Sequence, residues 1–169
     1  RNLWDTDPLG LEVQVTTFGF TNGDRLDNVM YTRYLIVNKG GNSIEDMYLS
    51  LWMDGDVGDA NDDYVACDTI VDMGYHFNGS PYDRRYGLQT PATGLQIIQG
   101  LAYVSPGDSA LSSAGWLEDR SRREMTAFIM MQGGNPTFSD PETALEAYYY
   151  SQGLNINGDP WSDYPFMEP

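Results

Sequence analysis

The sequence predicts an all-β chain: an antiparallel β-sandwich of jelly-roll or Ig-like type, with one short C-terminal helix. Three observations carry this. Apolar residues recur with period two in several short runs. The segments between them hold Gly, Pro, Asn and Asp, the residues that turns require. One stretch near the C-terminus changes to helical spacing with helical capping signals. Seven or so short strands and one helix fit a two-layer β architecture, while closure into a barrel and the strand order stay open.

The elements follow in order. "LEVQVTTFGF" (11–20) alternates Leu11, Val13 and Val15 with Glu12, Gln14 and Thr16. "NVMYTRYLIVN" (28–38) is β-branched and aromatic and ends in the turn "NKGGN". "DMYLSLWMD" (46–54) sets Met47, Leu49, Leu51 and Met53 on one face and Tyr48, Ser50, Trp52 and Asp54 on the other. Further strands are expected in "DYVACDT" (63–69), "MGYHFN" (73–78), "LQIIQGLAYV" (95–104) and "REMTAFIMMQ" (123–132). The helix is expected mainly over 141–152. Ser139 and Glu142 have capping-box spacing, Pro141 suits a first turn, and Gly153 suits a C-terminal cap. Leu145, Tyr148 and Tyr149 would form its apolar stripe.

A chain of 169 residues that is 41% hydrophobic and 13% aromatic can build a core as a single module spanning 1–169. Acidic residues number 25 against 9 basic, for a formal charge of −16. Such a chain is repelled by phosphate backbones and anionic membrane surfaces, so nucleic acid is not an expected partner. No apolar run is long enough for a membrane-spanning helix, so no membrane insertion is expected. Divalent cations are natural partners for this charge. The lone cysteine, Cys67, rules out an intrachain disulfide; a disulfide-free chain is common in the cytosol, and it also fits secretion if a metal staples the fold instead. The chain begins at Arg1 without Met, and is read as a processed or excised part of a longer secreted precursor.

Chemistry concentrates in "DGDVGDANDD", residues 54–63, with five carboxylates: Asp54, Asp56, Asp59, Asp62 and Asp63. Carboxylates about 6 Å apart repel by about 3 kcal/mol at an effective dielectric near 20. The loop therefore needs a counter-charge or full hydration. Counted from Asp54 as an EF-hand, positions 1, 3 and 9 match, but position 5 is Gly58, position 6 is Asp59 and position 12 is Val65. It is not an EF-hand. It reads instead as another kind of calcium loop, with Gly55 and Gly58 permitting a tight backbone and Asp68 able to close the site from the next strand. The alternative is a solvated acidic turn.

Other machinery is sparse. His76, between Tyr75 and Phe77, reads as structural or exposed, and Cys67 reads as a small buried apolar residue. There is no G-x-S-x-G elbow, phosphate loop or dinucleotide fingerprint. No carboxylate pair is singled out for glycoside hydrolysis, so the chain is not expected to be an enzyme. Four Trp, twelve Tyr and six Phe exceed what a core of this size needs. The cluster "PWSDYPF", with Trp161, Tyr164 and Phe166, is a candidate binding surface for a glycan or a neighbouring module, or packing for helix and tail.

Several segments carry a resemblance: "YTRYLIVNKGGNSIEDMYLSLWMDGDVGDANDDYVACDT", "MGYHFNG", "YGLQTPATGLQIIQG" and "MTAFIMMQGGNPTFSDPETALEAYYYSQGLNINGDPW". They resemble a recurrent module of large secreted proteins of Gram-negative bacteria, which often end in a type IX secretion sorting domain. The pattern W-x-D-x-D-x-G-x-x-x-D-D-x-x-x-C-D-T falls on Trp52, Asp54, Asp56, Gly58, Asp62, Asp63, Cys67, Asp68 and Thr69. Its continuation G-Y-x-x-N falls on Gly74, Tyr75 and Asn78. "NGDPW" stands where the module tends to have "DGTPW". The resemblance implies a secreted, calcium-stabilised β module and brings no enzymatic role. The expectation is thus a secreted or cell-surface structural module, binding Ca2+ and acting in adhesion or extracellular assembly, with copies of itself or neighbouring modules as candidate partners. The alternative is a polysaccharide-binding accessory domain of a secreted hydrolase.

Overall fold

The computed structural model describes residues 6–112 and 115–161. The chain divides into two compact units, Arg1–Met47 and Tyr48–Pro169. Its strands form three small antiparallel sheets, and α-helix is confined to one short element among the described residues.

The first unit is a hairpin. Strand β1 (Leu11–Gly19) pairs with β2 (Met30–Asn38) in unbroken register, from Leu11↔Asn38 to Gly19↔Met30. The alternating runs form as expected because β-branched and aromatic residues pack well across strands. Phe18 stacks on Tyr31 with ring centroids 5.2 Å apart, and Phe20 meets Tyr31 edge-on at 5.6 Å. Asp24 caps the 3₁₀ turn Arg25–Asn28 by accepting from Leu26 N at 2.8 Å.

The second unit holds the other two sheets. Strands β3 (Asp63–Asp68), β4 (Met73–Asn78) and β5 (Ala92–Gln96) form a sheet with β4 central. β6 (Ala102–Ser112) and β7 (Gly115–Arg122) form a hairpin whose register slips between Val104 and Ser109. That bulge contains Pro106 and Gly107, and Gly107 N donates to Asp119 Oδ1 at 2.9 Å. The Pro-Gly pair is therefore a bulge within a strand.

Several element boundaries differ from the expectation. Residues 46–54 join no ladder: Asp46 takes a left-handed φ of 50°, which breaks the extended run at its start. Period-two spacing marks a surface that could pair, and pairing itself needs a partner strand. Residues 123–132 are also outside any ladder. Their bonds are made singly, as in Met125 N to Asp72 Oδ1 at 3.2 Å, and Phe128 packs over the bare face of Gly74. The run 95–104 is two strands, β5 and β6, broken at 97–101. β7, rich in charge, was not apparent from its pattern.

The helix α1 (Ala144–Ser151) starts later than its first capping signal. Thr143 and Glu146 form the capping box instead of Ser139 and Glu142: Thr143 Oγ1 accepts from Glu146 N at 3.2 Å, and Glu146 Oε2 accepts from Thr143 N at 3.0 Å. Both pairs have the same spacing; Ser139 lies outside the helix, and its carbonyl accepts from the Tyr150 hydroxyl at 2.7 Å. The buried residue of the helix is Tyr150, while Leu145 and Tyr148 of the expected stripe are 57% and 39% exposed. Gly153 follows the helix with φ 80°, as its C-terminal role requires.

Candidate metal loop

The acidic loop runs without regular structure into β3 and is fastened at three points. Val57 is buried and donates its N–H to Asp63 Oδ2 at 2.7 Å. Asp59 N donates to Asp83 Oδ2 at 2.9 Å. Asp62 N donates to the Asp59 carbonyl at 3.2 Å, closing the turn. The fastenings leave Asp54, Asp56 and Asp59 exposed and bring Asp62 and Asp63 half-buried to the end of the β3–β4 ladder.

Asp83 is the anchor that sequence reading missed. It is 2% exposed, and its Oδ1 also accepts from Arg85 N at 2.6 Å and Tyr86 N at 2.8 Å. Burial pushes its carboxyl up, but the N–H groups of Tyr86, Arg85 and Asp59 outweigh burial and hold it below the usual aspartate value. The available signal was Asp followed four residues later by Gly in "DRRYG", a turn in which Asp83 and Gly87 exchange backbone hydrogen bonds. Gly58 lies directly over this carboxylate. Asp59 is held below the usual value by the Asn61 side-chain amide first and the Asn61 backbone N–H second, with Arg84 a smaller influence. Among the described residues none of the five loop carboxylates makes an ion pair with Lys or Arg.

The root of the loop is where polar groups lack partners. Asp63 lies directly across the ladder from Asn78, which is 8% exposed. Asn78 Nδ2 donates to the Ser80 carbonyl at 2.7 Å and faces Asp62 Oδ2 at 3.5 Å. The strong bond to Ser80 fixes the amide orientation, so Oδ1 is the oxygen turned the other way. Asp62 Oδ1, Asp63 Oδ1 and Asn78 Oδ1 are all buried without a hydrogen-bond partner. Buried oxygens of this kind are rare because each forfeits its hydration without compensation.

The remaining expected residues lie elsewhere. β3 carries Asp68 to the far end of the strand, about 17 Å from Asp63. There its Oδ1 caps the following turn by accepting from Ile70 N at 2.9 Å. Trp161 stacks on Phe138 with centroids 4.2 Å apart, and Tyr164 and Phe166 lie outside the described residues. Burial first, then the charges of Asp68 and Asp72, push the Cys67 thiol up and away from the reactive thiolate. His76 sits in β4 between Val65 and Thr93. Among the described residues no three His, Cys, Asp or Glu side chains are grouped to hold a metal ion. No protein-family model, curated protein or solved structure matches the chain.

Proposed function

We propose that the chain is a calcium-stabilised β-sandwich module of a secreted or cell-surface bacterial structure, acting in adhesion or extracellular assembly. One observation supports this above the others. Among the described residues only β4 has a strand on both sides, and each of the other six strands leaves an edge unpaired. Unpaired edges are rows of free N–H and C=O groups that template pairing with another chain, and two-stranded ribbons are marginal alone. Strand addition between neighbouring modules answers both needs. The formal charge of −16 opposes close approach of copies until a cation neutralises part of it.

The test is light scattering on the chain with millimolar calcium and with chelator. Assembled species that calcium promotes are the expected result. A chain that stays monomeric in both conditions at its highest soluble concentration overturns the assembly reading.

A second reading, polysaccharide binding, has one observation in its favour. A hollow of about 480 Å³ on the β6–β7 hairpin is lined by Gln99, Ser109, Trp116 and Arg122 among others, and Trp116 is 67% exposed. An exposed ring beside hydroxyl, amide and guanidinium groups suits a sugar. A glycan array separates the two readings, since an assembly module without a ligand gives no selective signal.

A further inference from the structure

We propose that the hollow on the β6–β7 hairpin binds an uncharged sugar chain, with Trp116 stacking on one ring and Arg122, Gln99, Asp72 and Glu124 exchanging hydrogen bonds with its hydroxyls. The inference rests on the polysaccharide reading above and deepens it by naming the charge class of the ligand and the residues that hold it.

The hollow owes its shape to residues 97–101, the segment that separates β5 from β6. Hydrogen bonds strap this segment down along its length. Ile97 N donates to the Asp72 carbonyl at 2.9 Å, and Arg123 N donates to the Leu101 carbonyl at 2.9 Å. Between these ends, Gln99 Nε2 donates to the Leu111 carbonyl at 2.9 Å and Arg122 Nη1 donates to the Gly100 carbonyl at 2.7 Å. Arg122 Nη2 also donates to the Leu111 carbonyl. Gly100 permits the close approach, since a Cβ there would collide with the Arg123 carbonyl. A strap held at both ends and in the middle makes a hollow of about 480 Å³ that is formed before any ligand arrives, as small-molecule sites usually are.

Its lining combines an apolar platform with polar groups that have capacity to spare. Trp116 lies directly across the ladder from Leu111, and both are exposed, as is Ile98 of the strap. A sugar ring offers a face of C–H groups whose partial positive charge suits the negative face of an indole. The hydroxyls at the ring edge both donate and accept. Of the five N–H groups of Arg122, two go to carbonyls and Nε is buried without a partner. One N–H on each terminal nitrogen remains for a ligand. Gln99 has committed its amide nitrogen and keeps its oxygen as an acceptor. Asp72 Oδ1 accepts from Met125 N, which leaves Oδ2.

Charge selects among sugars. Asp72 and Glu124 line the hollow together with Arg122 and Arg123, so its formal charges cancel. The chain as a whole carries −16. That field repels an anionic polymer and draws a cationic one to carboxylates all over the surface. A locally balanced hollow favours a ligand that brings no charge and offers donors and acceptors together.

The experiment is titration calorimetry in physiological salt, with tryptophan fluorescence as a second readout. The probes are the linear hexasaccharides of glucose, mannose, xylose and galactose, with hexagalacturonate as the anionic arm. Wild type, Trp116→Ala and Trp52→Ala are compared, and circular dichroism checks their folding. Trp52 is the control because it is as exposed as Trp116, at 67%, and lies outside the hollow. At least one neutral hexasaccharide is expected to bind wild type about tenfold or more tightly than hexagalacturonate does. Trp116→Ala is expected to weaken that binding about tenfold, the loss of one aromatic contact, and Trp52→Ala to leave it within about twofold. Hexagalacturonate binding as tightly as the neutral sugars overturns the charge class while the polysaccharide reading stands. Neutral binding unchanged in Trp116→Ala overturns the hollow as the site, again with that reading intact. A wild-type chain that binds none of the five probes at millimolar concentration overturns both.

Discussion

Replacing Gly58 with alanine tests the loop's anchorage most directly. Gly58 has φ 86°, and a Cβ there would lie 2.4 Å from Asp83 Oδ2. An ordinary carbon–oxygen contact is about 3.3 Å, so the two groups must part by roughly 1 Å. Asp83 cannot yield freely, because the same Oδ2 accepts from Asp59 N at 2.9 Å while Oδ1 holds Arg85 N and Tyr86 N. Left-handed backbone costs alanine about 1–2 kcal/mol. Overpacking adds about 1–3 kcal/mol. The lower entropy of the unfolded alanine chain returns about 0.5 kcal/mol. The net expectation is a loss of about 2–4 kcal/mol, or a fall in melting temperature on the order of 6–12 °C. Gly107 supplies the control: its φ is 88°, and nothing lies within 4 Å of its added Cβ. Gly107→Ala carries the backbone strain without the collision and should lose only about 1 kcal/mol. Thermal unfolding followed by circular dichroism compares the two. Equal melting temperatures for Gly58→Ala and Gly107→Ala would mean that the Asp83 carboxylate does not fill the space above Gly58, and the anchoring argument would fall.

Thr143→Ala removes the acceptor for Glu146 N and should cost about 1 kcal/mol, seen as a lower melting temperature, whereas Ser139→Ala, whose hydroxyl is not the cap, should cost less. The carboxyls of Asp83 and Asp59 titrate below the usual aspartate range in the folded chain. Their contribution is present above about pH 3.9 and is lost as pH falls through the lower folded values. Asp83→Asn should therefore melt lower at neutral pH and show a flatter acid dependence; an acid profile unchanged from wild type counts against the anchor. If the loop holds calcium, free ion at about 100 times its dissociation constant adds about 2.7 kcal/mol, and chelator should lower the melting temperature by about 5–10 °C.

The sequence located the acidic loop and the β character of the chain, while the fastening of the loop through Asp63 and Asp83 came only from the structure. Alternation in 11–20 and 28–38 was enough to define β1 and β2, because each run finds its partner in the next run along the chain, across the connection that holds the Arg25–Asn28 turn. The same alternation in 46–54 was misleading, since a strand exists only when another strand accepts its hydrogen bonds. Helix capping was legible as a spacing, and two consecutive copies of it were present. Only the bonds between Thr143 and Glu146 show which one operates. Asp54 and Asp56 drew attention because they are crowded in sequence, yet both are exposed.

By itself, the sequence determined the composition-level facts of this protein: short strands, strong negative charge, one cysteine, and a carboxylate-rich loop before β3. These depend on residue type and local spacing, which a linear reading holds in full. The tertiary structure alone decided which oxygens are buried without donors and which carboxylate fastens the loop. Asn78 is 15 residues from Asp63 and Asp83 is 24 from Asp59, and both pairs are brought together by the fold. Satisfaction of a polar group depends on every neighbour within about 3.5 Å. Most of those neighbours are distant in the chain, so folding had to supply them.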